Sequence, residues 1–375
     1  MKRIILINQV AGPMFVDIAN RYVQLGYEVR LLTGQLKEVG NKIDLAVKLN
    51  KCVKYRRNNH LSRIVSWVRF TVQAWYLLQK MNLDSEVMLV SNPPLVPLLS
   101  YYFRNKSNLH FRILIYDIYP NILTYSGFLS ENTYLYRWWA KTNIESFIWA
   151  DRLFTISNGM RDVLSEYAPA QRWEVIYPWV DHSFIKPLPK KDNWFIKKHH
   201  LEDKIIVEYS GNMGTTHNLT TIIKVAEELR DNNKYHFVFI GDGIEKQKLI
   251  DYSVTQKLRN TLFLPWLEEE DLPFSIPAGD LGIVSLVDDA SNLSIPSKSF
   301  YQMAAGNAII CIADIKSELA KIVLENKCGK VFSQSATEDI VNYLQCLTAA
   351  EIECFGRNSR EASKKYTKEN VKLFD

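Results

Sequence analysis

Short runs of Ile, Val and Leu recur along the chain and alternate with segments of helical spacing. Arg3–Asn8, Glu28–Leu32, Glu86–Ser91, Arg112–Tyr116 and Arg152–Ser157 read as strands, with amphipathic stretches such as Phe15–Leu25 between several of them. A second series follows, with Ile205–Tyr209, His236–Ile240, Leu262–Pro265, Leu281–Ser285 and Ala308–Ile312. Strands that are apolar along their whole length, instead of alternating, belong to a parallel sheet covered on both faces. Between the two series lies Phe184–Lys204, FIKPLPKKDNWFIKKHHLEDK, rich in proline and lysine and without a clear period, which reads as a linker. The expected fold class is therefore α/β: two doubly wound, Rossmann-like domains, residues 1–185 and 186–357, facing a central cleft at the carboxyl ends of their strands.

Three turns in the second series are suited to an anion. In SIPSKSFYQMAAGNAII, Ser294–Ile310, Pro296 can take the first helical position, Phe300, Met303 and Ala304 recur at helical spacing, and Gly306 supplies a left-handed stop before a strand. Ser297 and Lys298 stand at that helix start, where free amides and the helix dipole favour negative charge. After Tyr209 comes SGNMGTTHNL, in which backbone near Gly211 and Gly214 can approach a ligand while Asn212, Thr215, His217 and Asn218 supply polar side chains. After Ile240 comes GDGIEKQKL, with Gly241 and Gly243. Each turn alone is also what a tight strand-to-helix connection or an ordinary surface helix requires. Three at one edge of one sheet point to a phosphate or nucleotide site.

Composition narrows the class. The chain has 375 residues, 47% hydrophobic and 12% aromatic, which suits folded globular domains. Its five cysteines, Cys52, Cys311, Cys328, Cys346 and Cys354, are scattered without a CxxC pair, as expected of reduced core thiols in a cytosolic protein. MKRIILINQV is too briefly apolar for a signal peptide and reads as a first strand, and no apolar run approaches the roughly 18 residues of a membrane span. Charge is uneven: residues 1–190 hold 24 Lys and Arg against 14 Asp and Glu, a balance of +10, and the remainder hold 22 against 27, a balance of −5. The basic half contains two segments in which tryptophans stand beside cations, His60–Met81, which follows Lys51, Lys54, Arg56 and Arg57, and Asn132–Ala150. Such segments suit an anionic membrane surface, whereas no nucleic-acid motif accompanies them.

The motifs together carry a resemblance. YSGNMGTTHN at 209–218, FIGDG at 239–243, FLPW, DLP and AGDLGIVSL within 263–286, and IPSK with AAG at 295–306 resemble the nucleotide-sugar domain of the retaining glycosyltransferases of family 4, on the two-domain GT-B fold. YDIYP at 116–120, ISNGMRDVL at 156–164 and YPWVDHSF at 177–184 extend the likeness to nearly the whole chain. Within the family it is similar to the transferases of colanic acid and capsule polysaccharide biosynthesis.

The resemblance implies that the Gly211–Gly214 loop, Lys298 and the helix start at Ser297 hold a donor diphosphate, and that the Gly241–Gly243 loop lies near the nucleoside. It implies that Asp117 faces the reacting sugar and acceptor, with Gly12 and Tyr119 on the acceptor side, and that a terminal helix of about residues 358–375 returns to the first domain. Where many members carry two glutamates eight positions apart, this chain has Leu293 and Tyr301, with Asp288 and Asp289 close by, and Thr215 stands where an arginine is common. More of the electrostatic work then falls to Lys298. No DxD occurs, so neither a metal nor another cofactor is expected. The expected activity is retaining transfer from a UDP- or GDP-sugar to a polyprenyl-diphosphate-linked saccharide by a cytoplasmic protein, peripheral on the inner face of the bacterial membrane. The alternatives are a nucleotide-sugar 2-epimerase of the same fold and a non-catalytic binding subunit.

Overall fold

A computed structural model of the chain describes residues 2–56, 60–81, 84–106, 108–125 and 127–375, without the side chains of His60, Tyr125 and Asp289. Arg57 and the Asp289 side chain, both noted above, thus lie outside the described residues. The chain divides into two compact units, the residues up to Tyr177 together with Lys368–Asp375, and Pro178–Thr367.

The first unit is built on a seven-stranded sheet of β1 (Arg3–Ile7), β2 (Glu28–Thr33), β3 (Lys48–Lys51), β4 (Ser85–Val90), β5 (Leu109–Ile115), β6 (Arg152–Thr155) and β7 (Trp173–Val175). Their spatial order is β3-β2-β1-β4-β5-β6-β7, parallel throughout. The order reverses between β1 and β4, where Ile4–Ile7 pair with Glu86–Leu89. The second unit repeats the scheme with β8 (Ile205–Ser210), β9 (Tyr235–Ile240), β10 (Thr261–Leu264), β11 (Leu281–Ser285), β12 (Ala308–Ile312) and β13 (Gly329–Phe332), in the order β10-β9-β8-β11-β12-β13. Here the reversal lies between β8 and β11. These are two Rossmann-like domains, in agreement with the hydrophobic pattern.

Three strands of the two large sheets have no counterpart in that pattern. KLNK of β3, WEV of β7 and GKVF of β13 are short and partly polar, and each is an edge strand, which needs less apolar surface than a central one. The central strands are buried on both faces. Val207 and Tyr209 of β8 join a core with Phe237, Phe239 and Ile283, while Ile206 faces the other side with Val238, Ile240, Phe195 and Ile196. Phe195 and Ile196 belong to the segment expected as a linker. That segment lies within the second unit, where Asn193 caps a short helix, Trp194–Lys198, that seats this apolar pair on the sheet.

The helices used below are α1 (Pro13–Gln24), α2 (His60–Gln79), α3 (Tyr134–Ile148), α4 (Lys298–Ala305) and α5 (Ala349–Ser363). α5, opened by a capping box between Thr348 and Glu351, stays in the second unit, and the return to the first unit is made by Lys368–Asp375 alone. There the Phe374 carbonyl accepts from the Tyr22 hydroxyl at 2.8 Å and from Arg112 at 2.7 Å, and its ring lies 4.8 Å from that of Phe154. Cys311 and Cys328 are buried thiols, but Cys346 and Cys354 are exposed, because their helices turn those positions outward. Among the described residues no helix is long and apolar enough to cross a membrane.

Gly306 ends α4 at φ +79°, and a Cβ there would meet the Pro187 ring at 3.0 Å. Gly306→Ala is expected to lose about 1–2 kcal/mol of stability through the left-handed backbone and this contact, measured as a lower urea midpoint at unchanged slope.

Candidate functional site

In the second unit the polar loops gather where the strand order reverses, the position at which open α/β sheets bind ligands. β8 runs out at Ser210 into Gly211, whose φ is +150°, and a Cβ on Gly211 would stand 3.2 Å from the Lys298 amine. Backbone and cation are thus in direct apposition. Gly241, at φ +129°, lies so close that its Cβ would meet the Gly211 carbonyl oxygen at 2.0 Å, and Gly243, at φ +154°, would meet the Met213 carbonyl oxygen at 2.4 Å. The Met213 amide donates to the Asp242 carbonyl at 2.8 Å. The geometry gives Gly241 and Gly243 a packing role, holding one loop tightly beneath the other.

Lys298 opens α4 two residues later than Pro296 suggests. The Pro296 carbonyl accepts from the Ser299 amide at 3.1 Å, so the proline forms a turn ahead of the helix. The Lys298 amine donates to the Tyr209 hydroxyl and lies over that ring, 4.1 Å from its centroid. Tyr209 in turn donates to the Asn212 carbonyl at 2.5 Å. Among the described residues no carboxylate forms an ion pair with Lys298, and burial pushes its amine down to about 7.

His217 closes the other side of the turn. Its Nδ1–H donates to the Ser285 carbonyl at the end of β11, at 2.8 Å. Burial first, and then Lys298, push it down to about 3, so the imidazole is neutral with Nε2 left as an acceptor. The Val287 amide donates to the Thr216 carbonyl at 2.9 Å and ties the same loop to β11. Asn212, Thr215 and Ser297 are exposed at the rim, Gly214 packs against the Asn212 side chain, and Tyr301 sits one turn along α4, partly exposed. Asn218, expected with the ligand-facing polar groups, instead donates to Gln334 at 3.0 Å from a left-handed backbone, and Gln334 donates to the Leu286 and Ile312 carbonyls. That bond joins the two loops.

In the first unit, Asp117 and Tyr119 follow β5, next to the reversal. The Ser91 hydroxyl at the end of β4 accepts from the Tyr116 amide at 2.8 Å and from the Asp117 amide at 3.3 Å, which fixes the turn. Burial pushes Asp117 up to about 6. Tyr119 is stacked on Trp139 of α3 and meets Trp67 of α2 edge-on, each at 6.0 Å between centroids, and its carbonyl accepts from Asn143 at 2.6 Å. Gly12 precedes α1 as its N-cap, and a Cβ there would meet open space, so packing does not require glycine.

Residues 190–370 match the family of glycosyl transferases group 1. This chain is a glycosyltransferase with a group 1 domain. It is similar to WbjE of Pseudomonas aeruginosa, assigned as a glycosyltransferase, at 26% identity over 289 residues, covering 74% of this chain and 71% of WbjE. WcaI of Escherichia coli, assigned to colanic acid biosynthesis as a glycosyl transferase, is 28% identical over 175 residues, 46% of this chain and 43% of WcaI. The structure of HepE from Anabaena in complex with UDP and glucose superposes with a TM-score of 0.71 at 12% identity, covering 100% of this chain and 98% of that one. These likenesses give the GT-B fold.

Set against that family, the glycosyltransferase shows a buried Leu293 and a helical Tyr301 at the two positions where glutamates are common. Two residues in β8 escape sequence reasoning. Tyr209 looks like core, and its hold on Lys298 spans 89 positions. Glu208 is 1% exposed at the centre of the sheet, opposite Gly282, beside the Gly279 amide and Gln302 of α4. Burial pushes Glu208 well above the usual carboxylate range, which favours the neutral acid.

A carboxyl whose folded pKa is raised costs stability once the unfolded chain ionises and the folded one does not. Glu208→Gln is therefore expected to unfold at higher temperature than the wild type at pH 8, with the difference closing as pH falls toward about 4.3. Equal midpoints at pH 8 would show that Glu208 is ionised in the fold.

Proposed function

We propose that this glycosyltransferase moves a sugar, with retention at the anomeric carbon, from a nucleoside-diphosphate sugar to a lipid-linked saccharide in the assembly of a bacterial surface polysaccharide. The observation that supports this reading best is the Lys298 amine, unpaired with any described carboxylate and seated against the Gly211 backbone at the reversal point of the second sheet. Breaking the bond between the anomeric carbon and the β-phosphate oxygen builds negative charge on the departing diphosphate. A cation already oriented by Tyr209 and already partly desolvated stabilises that charge with little reorganisation. Bringing a diphosphate to the amine also favours its charged form, raising a pKa that lies near 7 in the free protein.

The acceptor hydroxyl then bonds to the anomeric carbon on the face the phosphate leaves, and its proton passes to the departing phosphate or to Asp117. An acid near 6 is mostly ionised at neutral pH and remains basic enough to orient or receive that proton. His217, neutral, accepts a hydrogen bond from a sugar hydroxyl through Nε2. We assign no metal or other cofactor to the reaction, since Lys298 supplies the charge. UDP is favoured as the nucleotide by the likeness to HepE, solved with UDP and glucose, and a polysaccharide context by the likeness to WcaI. A polyprenyl-diphosphate acceptor and a place on the inner face of the cytoplasmic membrane complete the reading.

Thermal unfolding with UDP, GDP, ADP and dTDP tests it. At about a hundred times its dissociation constant a nucleotide adds roughly 2.7 kcal/mol to stability, and Lys298→Ala is expected to abolish the response of the nucleotide that binds. In the wild type that affinity is expected to fall by about tenfold per pH unit above 7, as the free amine loses its proton, while Lys298→Arg stays level. Asp117→Asn is expected to keep the nucleotide response and to lose sugar transfer by about a hundredfold or more. No shift with any nucleotide would refute the donor site, and product formed from donor alone would favour epimerisation over transfer.

A further inference from the structure

α2 has two apolar faces. Trp67, Phe70, Ala74 and Leu78 turn inward and are buried, as the helical repeat requires of a helix laid on a core. The opposite side is apolar too. Leu61, Ile64, Val65, Val68, Val72 and Tyr76, with Trp75 beside the last, fall within about 120° of arc at about 100° per residue, and every one of them is 43–72% exposed. Polar substitutions would cost nothing there if the face met only water, so a continuous apolar stripe along a 20-residue helix marks a surface that is covered in use.

We propose that this stripe docks on an anionic lipid bilayer and holds the Asp117–Tyr119 loop at a set height above it. The chemistry around the stripe selects a bilayer over a second protein. Arg69, exposed, borders the apolar arc, and the Lys80 amine lies over the Tyr76 ring at 4.1 Å, so cations flank aromatics at the level where headgroups meet acyl chains. Lys51 and Lys54 stand on the segment leading to the helix, in the half of the chain with a balance of +10. On α3, Tyr134 and Leu135 are likewise exposed beside Arg137 and Lys141.

The link to the acceptor side is the inward face of the same helix. Trp67 is stacked on Tyr55 at 6.5 Å with 1° between the ring planes, and meets Tyr119 edge-on at 6.0 Å, while Tyr119 stacks on Trp139. Tyr119 lies two residues from Asp117. A helix that seats its outer face in lipid therefore fixes, through Trp67, where the loop bearing Asp117 stands relative to the headgroups. This second step rests on the lipid-linked acceptor proposed above; the docking itself does not.

Flotation of the purified chain with vesicles rich in phosphatidylglycerol tests the docking without any nucleotide. The wild type is expected to float, less so at high salt and at least tenfold less with phosphatidylcholine vesicles. Val68→Asp with Val72→Asp, both exposed, is expected to lose at least tenfold in vesicle binding while its unfolding midpoint and its response to nucleotide stay unchanged. Brominated lipids are expected to quench tryptophan emission less in Trp75→Phe, which still floats. Undiminished flotation of the double variant would overturn the proposal. So would a wild type that ignores vesicles and instead forms a concentration-dependent dimer that the same two substitutions break. Because nucleotide response and flotation are read separately, failure of the donor site and failure of the bilayer surface give different results.

Discussion

A lysine amine drawn partly out of water, with an aromatic hydroxyl and bare backbone as its company, is the constraint around which the second unit is arranged. Where Lys298 reaches the end of β8, position 211 adopts φ +150°, a backbone that disfavours any side chain, and a Cβ there would also crowd the amine at 3.2 Å. For Gly211 to stay there, the next loop must press on it, and that needs a residue without a Cβ at 241, where the clearance to the Gly211 oxygen is 2.0 Å. Gly243 repeats the relation one step on, against Met213. Glycines that look like three separate loop signals are one chain of steric consequence that starts at the cation. Tyr209 completes it by orienting the amine without neutralising it, which a carboxylate in the same place would do.

That chain of contacts explains which parts of the site are legible in the residues alone. Gly211, Gly241 and Lys298 stand out only as a set, because each turn alone also serves a tight connection or a surface helix, while three at one sheet edge form a pattern. Tyr209 and Glu208 do not, because an aromatic and a lone acid inside an apolar strand look like core and exception, and their partners stand on α4, far along the chain. Asn218 misleads in the other direction. A polar residue in a ligand-side loop serves equally to tie that loop to its neighbour, and the bond to Gln334 is set by tertiary packing that no local pattern records. The fold follows the same division. Central strands are written in continuous Ile, Val and Leu, whereas edge strands such as KLNK and GKVF gain their place from pairing, and WFIKK beneath a run of lysines hides an apolar anchor in what composition alone makes a tether.

Burial produces two titrating groups close to neutrality by opposite shifts. It lowers the Lys298 amine to about 7 and raises the Asp117 carboxyl to about 6, each in its own unit. Such poise suits groups that gain a partner only when substrate arrives, the amine from a diphosphate and the carboxylate from an acceptor hydroxyl. It also bears on the missing glutamates. With Leu293 buried and Tyr301 on the helix, neither position supplies a carboxylate, and the neutral His217, held by the Ser285 carbonyl, joins Asn212 and Thr215 among the polar side chains at the turn.

α2 shows why periodicity is ambiguous exactly where function is added to a fold. A helix on a core needs one apolar stripe, and Trp67, Phe70, Ala74 and Leu78 supply it. The second stripe overlays a second set of apolar positions on the first, so the period alone does not say which face meets the core. Only the fold separates the two faces, by burying one against Tyr119 and leaving the other in the open. The buried face is then explained by the Tyr119 loop it braces, and the open one stays uncovered among the described residues.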